Sequence, residues 1–268
     1  MSQTADHSYW YRTLASTFLK DGDKLGANVE AAEQQLEVAG KEKPTKDDGK
    51  TQYSNRIFMS DLHNAIRYAL FHEVPMRKQL NVEQANALIR FLSVLYDNFH
   101  YQSDKTRQFI RYLHDWLSKK LVDLRQHKRN ETAASSMATI GVEDMLTTMN
   151  MYEEYYHFPE MKNWRACADF DGGPKRSYPC SLWTLFHALT VAEYRESLRS
   201  KQWSSLHATL YAMREYIRNF FGCTECAQHF VTMAATLENE LAYPNASVLW
   251  LWHAHNRVNA RLAGTASD

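Results

Sequence analysis

The residues Phe220-Phe221-Gly222-Cys223-Thr224-Glu225-Cys226-Ala227-Gln228-His229-Phe230 place two cysteines with two residues between them at the start of a helical pattern. Three chemistries fit that spacing: a metal clip, a redox disulfide, or a pair of buried thiols. At a helix N-terminus the macrodipole and free amides favour a thiolate at the first cysteine, and the second lies one turn in, away from solvent. Zinc would need two further ligands. Cys167 and Cys180 are available, but the 12 residues between them do not form a second knuckle. Covalent haem attachment is excluded because Ala227, not histidine, follows Cys226. A thioredoxin-type site is excluded because no alternating strand and helix pattern surrounds the pair.

Two other stripes carry polar chemistry. Trp183 and His187 are i, i+4 on one helical face, and Trp252, His255, Asn256 and Asn259 follow the same logic on the last helix. For any one stripe the plainer reading is a core tryptophan beside a surface histidine. Buried asparagine and histidine need hydrogen-bond partners, however, and a large planar heteroaromatic ligand would supply them. The two stripes, together with a CxxC that has His229 one turn after Cys226, favour that ligand. All four cysteines fall at or beyond position 167. An even count confined to one region suggests pairing, and hence an oxidising compartment. Sequons at Asn130 and Asn245 are compatible with secretion.

Helices must position these groups. The chain has 268 residues, few glycines and prolines (9 and 6) and 13% aromatics, a composition for packed helices. Its formal net charge of zero gives no reason to expect a nucleic-acid or membrane-surface partner. No run of about 18 apolar residues predicts a membrane span, and the N-terminus does not read as a secretory signal. Residues 8–20 form a short apolar segment, and 21–52 read as a polar insertion or loop. Helical periodicity then predicts helices over 58–74, 81–99, 106–124 and 142–158. Their apolar stripes are Leu62/Ile66/Ala69/Leu70, Ala85/Leu88/Phe91/Leu92/Leu95 and Phe109/Leu113/Trp116/Leu117/Leu121. Residues 160–180 read as irregular, and four more helices follow over 181–198, 204–221, 224–241 and 245–263. The fold expected is all-α, with two tandem helical-bundle modules over 1–160 and 161–268.

The segments YPCSLWTLFHALTV (178–191), FFGCTECAQHF (220–230) and VLWLWHAHNRVNARLAG (248–264) resemble the Erv/ALR sulfhydryl oxidase module. The order W-x3-H, C-x2-C-x2-H-F, H-N-x-V-N is similar to the version in the quiescin sulfhydryl oxidases. The helical run from Phe58 resembles the cysteine-free pseudo-Erv module that precedes Erv in that family. The resemblance implies an FAD-dependent thiol oxidase on a four-helix bundle with a short fifth helix. It implies Cys226 as the flavin-proximal sulfur and Cys223 as the sulfur attacked by a donor thiolate, with electrons passing to O2 to give H2O2. It implies Arg176, Trp183, His187, Glu225, His229, Trp252, His255, Asn256, Val258 and Asn259 around FAD, with Trp183 and Trp252 stacking on rings and Arg176 on phosphate. Cys167 and Cys180 would form a structural disulfide worth ~3 kcal/mol in the chain-entropy model.

Thiol substrates would reach the full-length family enzymes through a thioredoxin domain that this chain lacks, so a piece of a longer protein is expected. The implied setting is the secretory pathway or the extracellular space. The implied state is a monomer in which the two modules pack as two subunits do in homodimeric relatives. The competing readings are a helical scaffold with inert cysteines and a zinc-binding regulator.

Overall fold

The computed structural model describes residues 57–99, 103–130, 139–167, 174–201 and 206–265. The apolar segment 8–20 and the polar stretch 21–52 lie outside the described residues. Helix α1 spans Met59–Tyr68 and runs on through a π turn at Ala69–Glu73 and a 3-10 turn at Val74–Met76. Leu62, Ile66, Ala69 and Leu70, the stripe expected from periodicity, are all fully buried. The two-residue strand β1 (Gln79–Leu80) pairs antiparallel with β2 (Ile140–Gly141), a pairing that helical periodicity does not show. Helix α2 (Val82–Asn98) starts at a capping box: Asn81 accepts from the Gln84 N–H and Gln84 accepts from the Asn81 N–H. That reciprocal pair satisfies two of the orphan donors at the helix start.

Helix α3 spans Asp104–Asn130 and α4 spans Val142–Tyr156, which His157 ends in a left-handed conformation (φ 49°). Helix α5 covers Pro174–Ser200, α6 Ala208–Phe220, α7 Thr224–Met233, α8 Leu237–Glu240 and α9 Ala246–Thr265. Three boundaries differ clearly from the sequence reading, the first being α3, expected over 106–124, which runs on to Asn130. Residues 174–180 are helical rather than irregular: a proline at the first helical position is preorganised for the turn, and Pro179 removes one internal hydrogen bond without ending the helix. The single helix expected over 224–241 is broken by a turn at Ala234–Thr236. The break keeps Phe230, Ala234 and Leu237 all buried on the core side.

The fold is all-α, and its two helical blocks share one hydrophobic core. Helix α1 packs on α5, α2 packs on α5 and α6, and α3 covers α2 and α4. Phe91 of α2 stands 4.5 Å from the Tyr216 ring of α6 and 6.0 Å from the Phe186 ring of α5. Among the described residues no helix is long and apolar enough to cross a membrane.

Polar groups on α1 clasp the connection between the blocks. The buried Asp61 carboxylate accepts the backbone N–H groups of Arg165 and Ala166 at 2.8 Å and of Cys167 at 3.2 Å. Asn64 donates to the Lys162 carbonyl at 2.7 Å and accepts the Lys162 N–H at 2.9 Å. These bonds hold the strand of chain that leads into the Cys167–Cys180 disulfide, whose sulfurs the structure joins at 2.06 Å. Removing Asp61 would leave three backbone donors without their acceptor, each costing about 1–3 kcal/mol where water cannot reach. Asp61→Ala is therefore expected to lower unfolding free energy by about 2–4 kcal/mol in urea titration, and Asp61→Asn by less, because an amide oxygen still accepts.

Candidate active site

Helix α7 carries the CxxC. Cys223 is its N-cap, with extended backbone (φ −78°, ψ 93°), and its Sγ accepts the Cys226 N–H at 3.3 Å. The Ala227 N–H to Cys223 carbonyl bond, 2.9 Å, closes the first turn. The two sulfurs are bonded to each other, with Cα atoms 5.3 Å apart. Cys223 is exposed and Cys226 half-buried, so one sulfur faces solvent and the other faces the protein. That asymmetry suits thiol–disulfide exchange, which needs an accessible sulfur to attack and a leaving thiolate held by the site. Because all four cysteines lie in the two disulfides, no thiolate is left to serve a zinc site of the kind weighed above.

One turn beyond Cys226, the buried Phe230 anchors α7. Its ring meets Trp183 of α5 edge to face at 6.0 Å and Trp250 of α9 at 6.0 Å. Trp183 in turn lies flat on His255, with centroids 4.5 Å apart and planes 1° from parallel. His187 Nε2 faces His255 Nδ1 at 3.3 Å, so one of the two rings donates to the other. Burial, with a smaller contribution from His255, holds the His187 imidazole well below its ordinary pKa. It is a neutral hydrogen-bonding group across the physiological range. Along α9, Trp252, His255, Asn256, Val258 and Asn259 are all half-buried, beside the buried Leu251 and Ala254.

The predicted residues therefore divide. Trp183, His187 and His255 come together directly, and Phe230 joins them to the disulfide helix. Glu225 and His229 sit on the exposed side of α7, 4.0 Å apart, and Arg261 donates to His229 Nδ1 at 2.7 Å. Trp252 packs edge to face with His253 at 4.7 Å. The Arg176 side chain lies outside the described residues. The stack of Trp183 on His255 is direct: a third ring between them would need faces about 7 Å apart. A planar ligand would thus lie against this pair rather than within it.

The donor set fits a flavin. It offers flat aromatic faces, two imidazoles of which one is held neutral, and two carboxamides on one half-buried stripe of α9, the helix that Phe230 and His229 of the disulfide helix reach. Sequence reasoning missed three contributors: Phe230 as the anchor, Arg261 on His229, and Glu73, which lies against Gly222. Phe230 closes the C-x2-C-x2-H-F motif and Glu73 falls at i+3 and i+4 from the buried Leu70 and Ala69, so each had left a signal, while Arg261 had not.

Comparison with known proteins bears on the same residues. Residues 180–268 match the Erv1/Alr family, and residues 53–152 match the FAD-dependent sulfhydryl oxidase family. A solved sulfhydryl oxidase fragment of human QSOX1 superposes with a TM-score of 0.64 and 34% identity, covering 79% of this chain and 78% of that one. The chain belongs to the sulfhydryl oxidase family. Sulfhydryl oxidase 1 from Cavia porcellus is 37% identical over 215 residues, covering 80% of this chain and 32% of that protein. The Homo sapiens protein of the same name is 36% identical over 216 residues, covering 80% and 26% respectively. The chain thus spans about a third or less of the curated sulfhydryl oxidases it matches, and its first helical block falls within the matched region.

The neutral state of His187 has a sign that can be checked. The unfolded chain takes up the proton near the ordinary value of 6.5 and the folded chain only well below it, so His187 costs stability as pH falls below 6.5. Its imidazole resonances in the folded protein are expected not to titrate between about pH 5.5 and 8, where a solvated histidine would.

Proposed function

We propose that this chain binds FAD and oxidises dithiols to disulfides, reducing O2 to H2O2. The observation that carries the reading is the Cys223–Cys226 disulfide, exposed at the start of α7 and anchored through Phe230 to the Trp183–His255 stack. Two thiols and one O2 give one disulfide and one H2O2, so atoms and electrons balance. A donor thiolate attacks the exposed Cys223 Sγ, the Sγ–Sγ bond breaks, and the electron pair leaves on Cys226. A second donor thiol then releases the substrate disulfide and leaves Cys223 reduced.

Trp183, His187 and His255 would hold the flavin, with Trp252, Asn256, Val258 and Asn259 completing the wall. Glu225 and His229 would contribute from the exposed side of α7, and Arg176 would meet phosphate. When bound, FAD supplies the two-electron acceptor that passes the pair to O2. His187 provides a neutral hydrogen-bonding partner, and the aromatic side chains exclude water from the half-buried sulfur. Cys167–Cys180 staples the entrance to α5. In this reading residues 161–268 carry the chemistry and residues 1–160 form a packing partner. The shared core through Phe91, Phe186 and Tyr216 supports a monomer, and two disulfides support an oxidising secretory or extracellular setting. Thiol donors presented by a thioredoxin domain are the expected substrates in a longer protein.

Purified protein is expected to be yellow and to consume oxygen when given dithiothreitol. Cys223→Ser and Cys226→Ser should each lower that turnover by about a hundredfold or more while leaving the bound flavin in place. A folded wild-type protein that stays colourless with added FAD would overturn the reading. Light scattering should report a single chain, and a stable dimer would contradict the intramolecular packing proposed for the two blocks.

A further inference from the structure

The first helical block contains no cysteine, yet it reaches the CxxC. Glu73 closes the π turn that follows α1, a widened turn of a kind that recurs at functional sites. It is 5% exposed, and its Oε2 is buried without a hydrogen-bond partner. The carboxyl lies against Gly222, the residue before Cys223. A Cβ at position 222 would stand 3.3 Å from both Glu73 oxygens, so the approach depends on glycine. Four residues on, the Arg77 Nε donates at 3.0 Å to the carbonyl of Asn219, at the end of α6. The same short segment therefore touches the loop that presents Cys223 at its root and at its tip.

We propose that Glu73 is a positioning residue for the Cys223–Cys226 disulfide: it holds the Gly222 peptide and places a carboxyl one residue from the attacked cysteine. The proposal rests on the thiol-oxidase reading above. The attack brings one negative charge toward Cys223 and leaves one on Cys226. An ionised Glu73 opposes both, and a protonated Glu73 opposes neither.

The surroundings set where that change falls. Burial raises the Glu73 pKa to about 7, against the Gly222 N–H and Arg77, which favour its charged form. Three tyrosines lie around it: Tyr68 on its own helix, Tyr178 on α5 and Tyr216 on α6. Tyr178 and Tyr216 share a hydrogen bond of 2.9 Å, and burial keeps both phenols neutral. His72 is stacked against Tyr68 at 4.4 Å. Arg77 and His72 are the basic groups among these neighbours.

The test needs no flavin. In the full 268-residue chain, opening of Cys223–Cys226 by dithiothreitol is followed by alkylation of the freed thiols and mass analysis, across about pH 5.5 to 8.5. Rates are divided by the dithiothreitol thiolate concentration. In wild type the normalised rate is expected to fall about three- to tenfold as pH rises through 7. Glu73→Gln keeps an acceptor for the Gly222 N–H but no charge. It should match wild type within about twofold at pH 6 and show no inflection. Glu73→Ala should lose the inflection and also depart from wild type at pH 6. Should Glu73→Ala fail to fold, Glu73→Gln alone decides the matter. A Glu73→Gln profile with the wild-type inflection would overturn the proposal, as would three coincident profiles. If dithiothreitol opens Cys223–Cys226 in wild type no faster than Cys167–Cys180, the oxidase reading itself falls and takes the proposal with it.

Discussion

A disulfide exposed at a helix start can still be held firmly, and the structure does this on one short helix. Cys223 caps α7 in solvent, and Phe230 sits buried at its middle among Trp183 and Trp250. Because α7 is only 10 residues long, the burial of one aromatic ring fixes the direction of the whole element. The first turn is closed by backbone hydrogen bonds and by the Cys223 sulfur itself, so the sulfur pair inherits that direction. Helices α5 and α9 build the wall that Phe230 packs on, and the segment Glu73–Arg77 restrains the loop leading into Cys223.

The cysteine-free block supplies much of that restraint. Phe91 fills the space between α5 and α6, so the helix that carries Trp183 and the helix that ends before Gly222 are set by the same side chain. Burial of an aromatic ring is worth several kcal/mol, but it is non-directional. Direction comes from polar contacts at the rim: Asp61 and Asn64 on the connection between blocks, Arg77 and Glu73 on the CxxC loop. Each hydrogen bond made there answers a backbone group that would otherwise be stranded away from water.

Buried titratable groups give the molecule opposing pH responses. His187 is neutral in the fold, and its contribution weakens as pH drops below 6.5. Glu73 and Glu193 behave the other way. Burial pushes each to about 7, so the folded state holds their protons and loses their contribution as pH rises from 4.5 through 7. Glu193 is tied to the start of α6 by the Thr209 N–H at 3.0 Å, so part of its burial cost is offset by capping that helix. Between about pH 4.5 and 6.5 the two carboxyls outweigh the one histidine, so among these groups stability is favoured toward the acid end of that range.

The apolar stripes of α1, α2 and α3 could be read directly, because 3.6-residue periodicity reports which side of a helix avoids water. The CxxC at a helix start and the histidine and tryptophan stripes were legible for the same reason. So was the family, from three spaced motifs. Periodicity says nothing about which helix a stripe will face. It could not show Trp183 lying flat on His255, Glu225 and His229 turned to the exposed side of α7, or the break at Ala234–Thr236 that tucks Leu237 into the core. Nor could it show Glu73 reaching Gly222 across more than half of the chain. The sequence by itself determined an all-helical chain with its sulfur chemistry at the start of one helix. Only the tertiary structure decided which rings Phe230 packs on and which carboxyl lies against Gly222, because packing brings together residues whose separation along the chain carries no signal.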